Sequence, residues 1–129
     1  MDPQSLIKTY SMTPHAEGGH YAEIGKMGNG AASQIYYLLQ KGETANWHRL
    51  QSEELWLYHD GGSVTITLGG TAETPQPQTT AVLNKEHPSF LIPSGQWQMA
   101  TAENEAALLS CIVCPAFTWD QWELYQKGE

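Results

Sequence analysis

The segment from Gly42 to Gly61 carries the residues best suited to chemistry. His48 and Glu54 stand six positions apart, on two β-rich runs that are separated by the polar residues Gln51–Glu53. If the two runs pair with both side chains pointing inward, an imidazole and a carboxylate meet on neighbouring strands. Such a pair can hold a divalent metal, or act as a general base with the group that orients it. A third interpretation is structural, with a buried His48 that satisfies a Glu54 too costly to bury alone.

Strand alternation extends this site to aromatic side chains. Trp56 and Tyr58 share the face of Glu54, so we expect them to form an aromatic wall of the pocket. By the same rule Arg49 points away from His48, and Trp47 and Trp97 point to the outer surface. Large aromatic side chains outside a small sheet are commonly buried by a helix or a partner subunit. We therefore expect a homodimer.

The elements that must position these residues are β-strands. From Ser33 onward, short β-rich runs alternate with Gly, Pro, Asn and Asp, a rhythm typical of a sandwich or barrel. The predicted strands are Gln34–Leu39, Trp47–Leu50, Glu54–His59, Ser63–Leu68, Ala81–Leu83, Phe90–Ile92, Trp97–Ala100 and Leu108–Cys114. Because Thr71–Thr80 contains two prolines, we expect an exposed connection there that joins the two halves of one barrel.

A short helix is predicted at each end of the chain. Asp2 followed by Pro3 is a helix-start signal, and this helix is expected to end before Pro14. A second helix is expected from Trp119, with Trp119 and Trp122 packed on the barrel and not against a ligand. Its evidence is a capping box and a hydrophobic staple, formed by Thr118, Gln121, Phe117 and Trp122.

Composition narrows the class of protein. A length of 129 residues suits one domain, 1–129. Six Lys and Arg against 14 Asp and Glu give a net charge of −8, which repels nucleic acids and anionic membranes, so neither is an expected partner. The N-terminus has no signal-peptide pattern and no apolar run is long enough to span a membrane, so we expect a cytoplasmic protein. Cys111 and Cys114 lie three apart on a predicted strand, on opposite faces, which disfavours a zinc or redox site.

On these residues the sequence resembles the cupin superfamily. Gly42, His48, Glu54 and Gly61 fall on the first cupin motif, G-x5-H-x-H-x3-E-x6-G, with Leu50 at the second His. The second motif, G-x5-P-x-G-x2-H-x3-N, is matched by Pro93 and Gly95, while His87, Gln98 and Ala102 replace its Gly, His and Asn.

A narrower resemblance, to the cupin-5 branch of small proteins, extends along most of the chain. It rests on Pro14–Gly19 with Tyr21, Ile35–Leu39, Trp47–Arg49, Ser52–Glu54, Trp56, Pro93–Gln98 and Cys114–Phe117. The resemblance implies an all-β fold, the double-stranded β-helix or jelly-roll barrel, here with short N- and C-terminal helices. It also implies a homodimer.

When the family's metal-ligand positions are transferred one by one to this sequence, the resemblance implies His48, Glu54 and Gln98 as ligands. Because Leu50 removes one imidazole, the implied site for Mn, Fe, Ni or Zn is incomplete, with His15, His20 and His59 as substitutes that the sequence does not place. The remaining ligand-binding candidates are Trp56, Gln98, Tyr37, His15 and Glu17.

Three functions stay open at this point. The first is a cupin that binds a small polar organic molecule, such as a sugar derivative. The resemblance to metal-free epimerases then implies isomerase-like chemistry, with His48 as base, Glu54 as its orienting group, and Tyr58 or Tyr37 as acid. The second is a metal-dependent enzyme, and the third is a binding or sensor module without turnover.

Overall fold

The computed structural model describes residues 1–126 and consists mainly of β-strands. A single α-helix in this part of the chain, α1 (Pro3–Tyr10), precedes the strands. The strands are β1 (Thr13–Pro14), β2 (His20–Met27), β3 (Ala32–Leu39), β4 (Thr44–Leu50), β5 (Glu53–Gly61), β6 (Val64–Leu68), β7 (Thr79–Leu83), β8 (Ser89–Ile92), β9 (Gln98–Ala102), β10 (Ala107–Cys114) and β11 (Trp122–Leu124), with a 3₁₀ turn at Trp119–Gln121.

The strands form two antiparallel sheets. One sheet has the order β1-β2-β3-β10-β5-β8 and the other the order β11-β4-β9-β6-β7. Neighbours in each sheet are mostly distant in sequence, as in the pairing of β10 with both β3 and β5. The predicted jelly-roll fold is confirmed.

The hydrophobic core lies between the two sheets. In β6, Val64 and Ile66 are fully buried while Thr65 and Thr67 are partly exposed, as the apolar and polar alternation requires. Residues from both sheets join one cluster: Tyr37, Leu39, Trp56, Leu109 and Cys111 from the first, and Ala45, Val64, Ile66, Leu83, Ala100 and Ala102 from the second.

Every predicted strand overlaps a strand of the structure, but β1 and β2 were not predicted, and β2 is the longer of the two. Its sequence, His20 to Met27, contains a glycine and two charged residues, and its second half is exposed. The sequence of such a strand does not alternate between apolar and polar residues, so the pattern does not reveal it. The strand forms because its backbone pairs with β3, and it buries little of its own surface.

The N-terminal helix is confirmed, and its start has the expected chemistry. Asp2 caps it by accepting a hydrogen bond from the backbone N–H of Gln4 at 3.2 Å. No helix among residues 1–126 is long and apolar enough to cross a membrane.

The predicted C-terminal helix is wrong. Trp119–Gln121 form one 3₁₀ turn, and the chain then continues as β11, which pairs with β4. Thr118 makes no capping hydrogen bond. The Gln121 side chain instead accepts from the backbone N–H of Ser52 at 2.9 Å and donates to the carbonyl of Ala116 at 3.1 Å. The open edge of β4 offers the segment more hydrogen bonds than a short helix would.

The outward tryptophans are covered by the chain itself. Trp97 is completely buried, and its indole N–H donates to the carbonyl of Ala72 at 2.8 Å. The Arg49 guanidinium lies 4.3 Å from the Trp97 ring, and Tyr125 packs against its edge. The connection after β6 is therefore the cover for Trp97 that we expected from a partner subunit. The homodimer stays a prediction that rests on the resemblance.

The two cysteines occupy opposite faces of β10, as predicted. Cys111 is buried, Cys114 is exposed, and both are free thiols. Their positions leave Cys111 facing the barrel interior.

Gly18 provides a test of how the turn before β2 is built. Its φ is +119°, and an added Cβ would collide with the backbone carbonyl of Thr44. Gly30 has a φ of +92° with open space around it. We expect Gly18→Ala to lower the free energy of unfolding by about 3 kcal/mol or more, against about 1 kcal/mol for Gly30→Ala, because only the first combines strain with a clash. Urea denaturation of both variants measures the difference, and equal losses would contradict this account of the turn.

Candidate functional site

The turn between β1 and β2 carries an acidic side chain into the barrel. His15 and Gly18 close the turn through the hydrogen bonds His15 N–H to Gly19 O at 2.9 Å and Gly18 N–H to His15 O at 3.0 Å. Asn46 of β4 then donates to the Glu17 carbonyl twice, from its backbone at 2.7 Å and from its amide at 3.0 Å. The Glu17 side chain is consequently fixed in the interior, with 6% of its surface exposed.

The Glu17 carboxyl has three polar neighbours. Trp122 of β11 donates its indole N–H to Oε1 at 3.0 Å. His48 Nε2 lies 3.4 Å from Oε2, and His15 Nδ1 lies 3.5 Å from Oε1. Burial raises the pKa of Glu17, while His15 and the hydrogen bond from Trp122 oppose that rise.

His48 is held in one orientation. Its Nδ1 lies 2.7 Å from the carbonyl of Asn46, which can only accept, so this nitrogen carries the proton in the neutral ring. The lone pair of Nε2 then faces Glu17. Burial lowers the pKa of His48, and the nearby Glu54 and the Asn46 carbonyl oppose the change.

A second carboxyl, Glu54 of β5, is fixed by a chain of hydrogen bonds across the barrel. Trp56 donates its indole N–H to Gln98 Oε1 at 3.1 Å, and Gln98 Nε2 donates to Glu54 Oε1 at 2.8 Å. Since an indole N–H only donates, it settles which end of the amide faces Glu54. Burial raises the pKa of Glu54, and the charge of Glu17 raises it further, while His48 and Gln98 act against the rise.

Both carboxyls line one cavity, with a volume of about 60 Å³. That is several times the roughly 10–15 Å³ needed for one water. The residues around it are His15, Glu17, Tyr21, Glu23, Gly25, Lys26, Ser33, Gln34, Ile35, Tyr37, Glu54, Cys111, Val113, Phe117 and Trp119. Burial raises the pKa of the Cys111 thiol well above its usual value, and Glu54 contributes to the rise, so this thiol stays protonated.

The structure brings together most of the predicted site. His15, Glu17, Tyr37 and Glu54 line the cavity, whereas His48, Trp56 and Gln98 lie behind them as supports. His48 reaches the cavity through Glu17, which the sequence did not indicate. Tyr37 donates its hydroxyl to the carbonyl of Gly18.

Tyr58 is not part of this group. Its hydroxyl donates to the carbonyl of Gly61 at 2.7 Å, and the ring packs at the margin of the core. The pairing of β5 with β10 is regular from Glu53 to Tyr58, so Tyr58 keeps the face of Glu54 but lies four residues further along the strand, away from the cavity.

The C-terminal segment contributes side chains that the sequence placed elsewhere. Trp119 lines the cavity, and Trp122 binds Glu17, because the strand β11 replaces the expected helix. Phe117 and Tyr21 also line the cavity. The Cys114-Pro115-Ala116-Phe117 match in the cupin-5 resemblance was the available signal for this segment.

The donor set does not fit the predicted metal site. Both polar ends of the Gln98 amide are engaged, by Trp56 and by Glu54, and Leu50 is buried where an imidazole would be needed. His59 binds Ser110, and the Nδ1 of His20 is buried with no hydrogen-bond partner among residues 1–126. Within the described residues, no three His, Cys, Asp or Glu side chains converge in a way that could hold a metal ion.

Comparisons with known proteins agree with this architecture. A family model described as Cupin_5, Cupin superfamily (DUF985), matches residues 4–125. No curated protein matches the chain.

Several solved structures are similar to the chain. Protein SO0799 from Shewanella oneidensis has a TM-score of 0.85 and 31% identity, covering 98% of this chain and 85% of its own. A hypothetical protein from Leishmania major has a TM-score of 0.82 and 22% identity, covering 98% and 88%. Oxalate decarboxylase from Bacillus subtilis has a TM-score of 0.70 and 16% identity over 86% of this chain and 29% of its own, a likeness of fold alone.

Glu54→Gln tests the cost of the buried carboxyl. Because the folded-state pKa of Glu54 is raised above its ordinary value of 4.5, the wild type loses stability as the pH rises through 4.5 toward that higher pKa. The amide still accepts from Gln98 and carries no charge. We expect the variant to match the wild type below about pH 4.5 and to exceed it by about 1–2 kcal/mol at neutral pH. Denaturation between pH 4 and 8 measures this, with the exposed Glu86→Gln as control. A stability difference that does not grow with pH would contradict the raised pKa.

Thermal denaturation with added metals tests the donor set. A specific site raises the free energy of unfolding by about 2.7 kcal/mol at a metal concentration 100 times its Kd. For protein without an affinity tag we expect Mn²⁺, Ni²⁺ and Zn²⁺ to shift the Tm by less than about 1 °C. A rise of several degrees that disappears in His48→Ala would show that the residues do hold a metal.

Proposed function

The chain belongs to the Cupin_5 family of the cupin superfamily, and on this premise we propose that it is a metal-free acid–base catalyst. It binds a small polar organic molecule in the cavity and moves a proton on it, as isomerases and epimerases do. The observation that carries the proposal is the pair of buried carboxyls, Glu17 and Glu54, on one cavity beside His48.

Glu17 is the general base in this proposal. Its carboxylate accepts the Trp122 N–H, and its charge raises the pKa of Glu54, so in this proposal Glu17 is the carboxyl group that ionises first. Burial still raises its pKa, which makes the carboxylate a stronger base than an exposed one.

Glu54 is the general acid. The charge on Glu17 favours a protonated Glu54, because two carboxylates in one buried site repel each other. Gln98 donates to its Oε1 at 2.8 Å and the Cys111 thiol also hydrogen-bonds the carboxyl, which still lines the cavity. Two carboxyls whose protonation states are driven apart provide an acid and a base at the same pH.

The proposed reaction moves one proton in each direction. Glu17 removes a proton from the carbon next to a carbonyl group, and Glu54 gives its proton to the carbonyl oxygen, producing an enol. Return of a proton to the opposite face of the same carbon, with Glu54 taking back the enol proton, completes an epimerisation. When the substrate carries a neighbouring hydroxyl, the intermediate is an enediol; a proton then adds to the other carbon while Glu54 takes the proton of the second hydroxyl, which completes an isomerisation. His48 is a positioning residue here, not the base, because it does not line the cavity and its Nε2 faces Glu17.

The dimensions of the cavity limit the ligand. A volume of about 60 Å³ suits a small molecule and is well below the roughly 300–1,000 Å³ of pockets that hold drug-sized ligands. Trp56, predicted as a wall, supports Gln98 from behind instead. The proposed substrate is therefore a small hydroxy- or amino-substituted carbonyl compound.

Hydrogen–deuterium exchange at carbon tests the proposal. We expect the wild type to speed deuterium incorporation from D₂O into at least one of hydroxyacetone, dihydroxyacetone, glyceraldehyde and acetonyltrimethylammonium, followed by ¹H NMR. Glu17→Gln removes the base and is expected to lower the exchange rate by about 100-fold or more. Glu54→Gln removes the acid, and we expect a slightly smaller decrease of the exchange rate. His48→Gln should act through Glu17, shifting the pH profile of the exchange rate.

The matched control is Glu86→Gln, which removes an exposed carboxylate from the turn before β8. It is expected to exchange at the wild-type rate. Binding of these compounds without exchange would favour a non-catalytic binding module, and neither binding nor exchange would overturn the proposal for this substrate class.

A further inference from the structure

Aromatic rings line much of the cavity, and they surround the imidazole of His15. The His15 ring has four aromatic neighbours, Tyr21, Tyr37, Trp119 and Trp122, at centroid distances of 4.8 to 6.0 Å. Phe117 adds a ring against Trp119 at 4.9 Å. Apart from Trp122, each of these rings lines the cavity, so aromatic surface lies beside the two buried carboxyls.

The charges around the cavity are mainly negative. Glu17 and Glu54 are buried within it, and Glu23 lies at its exposed margin. The one Lys or Arg among the lining residues is Lys26, which is also exposed at the margin. Burial lowers the pKa of His15, which keeps its imidazole neutral at neutral pH. Within residues 1–126, the buried part of the cavity therefore carries carboxyl groups and no lysine or arginine.

We propose that the ligand of this cavity is a small organic cation with a methylated ammonium head. The inference rests on the proposed function in using the same cavity and carboxyls, and it adds the charge class of the substrate. Aromatic walls attract cations through the negative faces of their rings, and they do so most strongly where water is excluded.

A methylated head fits these walls better than a primary ammonium group. A primary ammonium needs three acceptors, whereas Glu17 Oε1 already accepts from Trp122 and Glu54 Oε1 from Gln98. The Tyr37 hydroxyl donates to the carbonyl of Gly18. A head with methyl groups requires no acceptor and contacts the rings directly.

A sugar derivative matches the same observations less well. A neutral polyol leaves the buried carboxyls uncompensated, and burial of an unpaired charge is costly. A bound cation supplies that missing charge. The net charge of −8 of the whole chain also favours the approach of cations over anions.

Choline and its uncharged isostere, 3,3-dimethylbutan-1-ol, test the inference. The two molecules have the same shape and differ by nitrogen against carbon, so their affinities separate charge from hydrophobic contact. By isothermal titration calorimetry at constant ionic strength, we expect choline to bind about 30-fold more tightly. Equal affinities, or no binding of choline, would overturn the inference.

Trp119→Leu tests the aromatic wall without depending on a buried residue. Trp119 is 51% exposed, so its replacement leaves the core intact. Leucine keeps an apolar surface but has no ring, and we expect the affinity for choline to fall about 3-fold while that for the isostere stays unchanged. An equal loss for both ligands would count against a cation–ring contact.

Glu17→Gln tests the charge, with Glu86→Gln as its matched control. We expect Glu17→Gln to weaken choline binding at least about tenfold and to leave the isostere within about twofold. Glu86→Gln should change neither affinity. If Glu17→Gln binds choline like the wild type, the inference fails.

These outcomes are distinct from those of the exchange experiment. A preference for choline without carbon exchange would overturn the proposed catalysis and keep the cation site. Conversely, exchange of hydroxyacetone by a protein that does not distinguish choline from its isostere would support the proposed catalysis and overturn the cation site.

Discussion

Burial of two carboxyl groups in one barrel is the constraint around which the polar interior is organised. Glu17 and Glu54 are each only 6% exposed, and a carboxylate in such surroundings is stable only with compensating partners. The hydrogen bonds to the two carboxyl groups come from Trp122 of β11 and Gln98 of β9, and His48 of β4 lies beside Glu17. The contacts join the turn before β2 and both sheets into one network, so displacing one member disturbs the rest.

The same network sets the orientation of the two carboxyl groups that face the cavity. Glu17 is fixed through its backbone by Asn46 and through its side chain by Trp122. Glu54 is fixed by an amide that is itself fixed by Trp56. Groups held in this way cannot rearrange to solvate a charge, so their protonation states respond strongly to one another and to whatever enters the cavity.

Two substitutions in the cupin motifs change what the barrel can do. Leu50 contributes to the buried interior, and Gln98 uses both ends of its amide within the protein. In the proposed function, two buried carboxyl groups therefore act as the acid–base pair in a barrel whose motif positions carry Leu50 and Gln98. Oxalate decarboxylase shares this fold at 16% identity, which illustrates that the fold alone does not determine the chemistry.

Local patterns in the sequence were sufficient to predict most of the strands and many residues of the candidate site. The alternation of Val64–Leu68 and the spacing of His48 and Glu54 depend on local geometry, which a linear pattern records. The remaining features depend on contacts between segments that are distant in the sequence. Whether Trp119–Gln121 begins a helix depended on the free edge of β4, and the position of Glu17 depended on a backbone contact with Asn46, 29 residues away. Tyr58 lies on the predicted face, but the distance along β5 places it away from the cavity. The outcomes at Trp119–Gln121 and Glu17 depend on which hydrogen-bond partners distant segments offer one another, and the order of residues does not encode that locally.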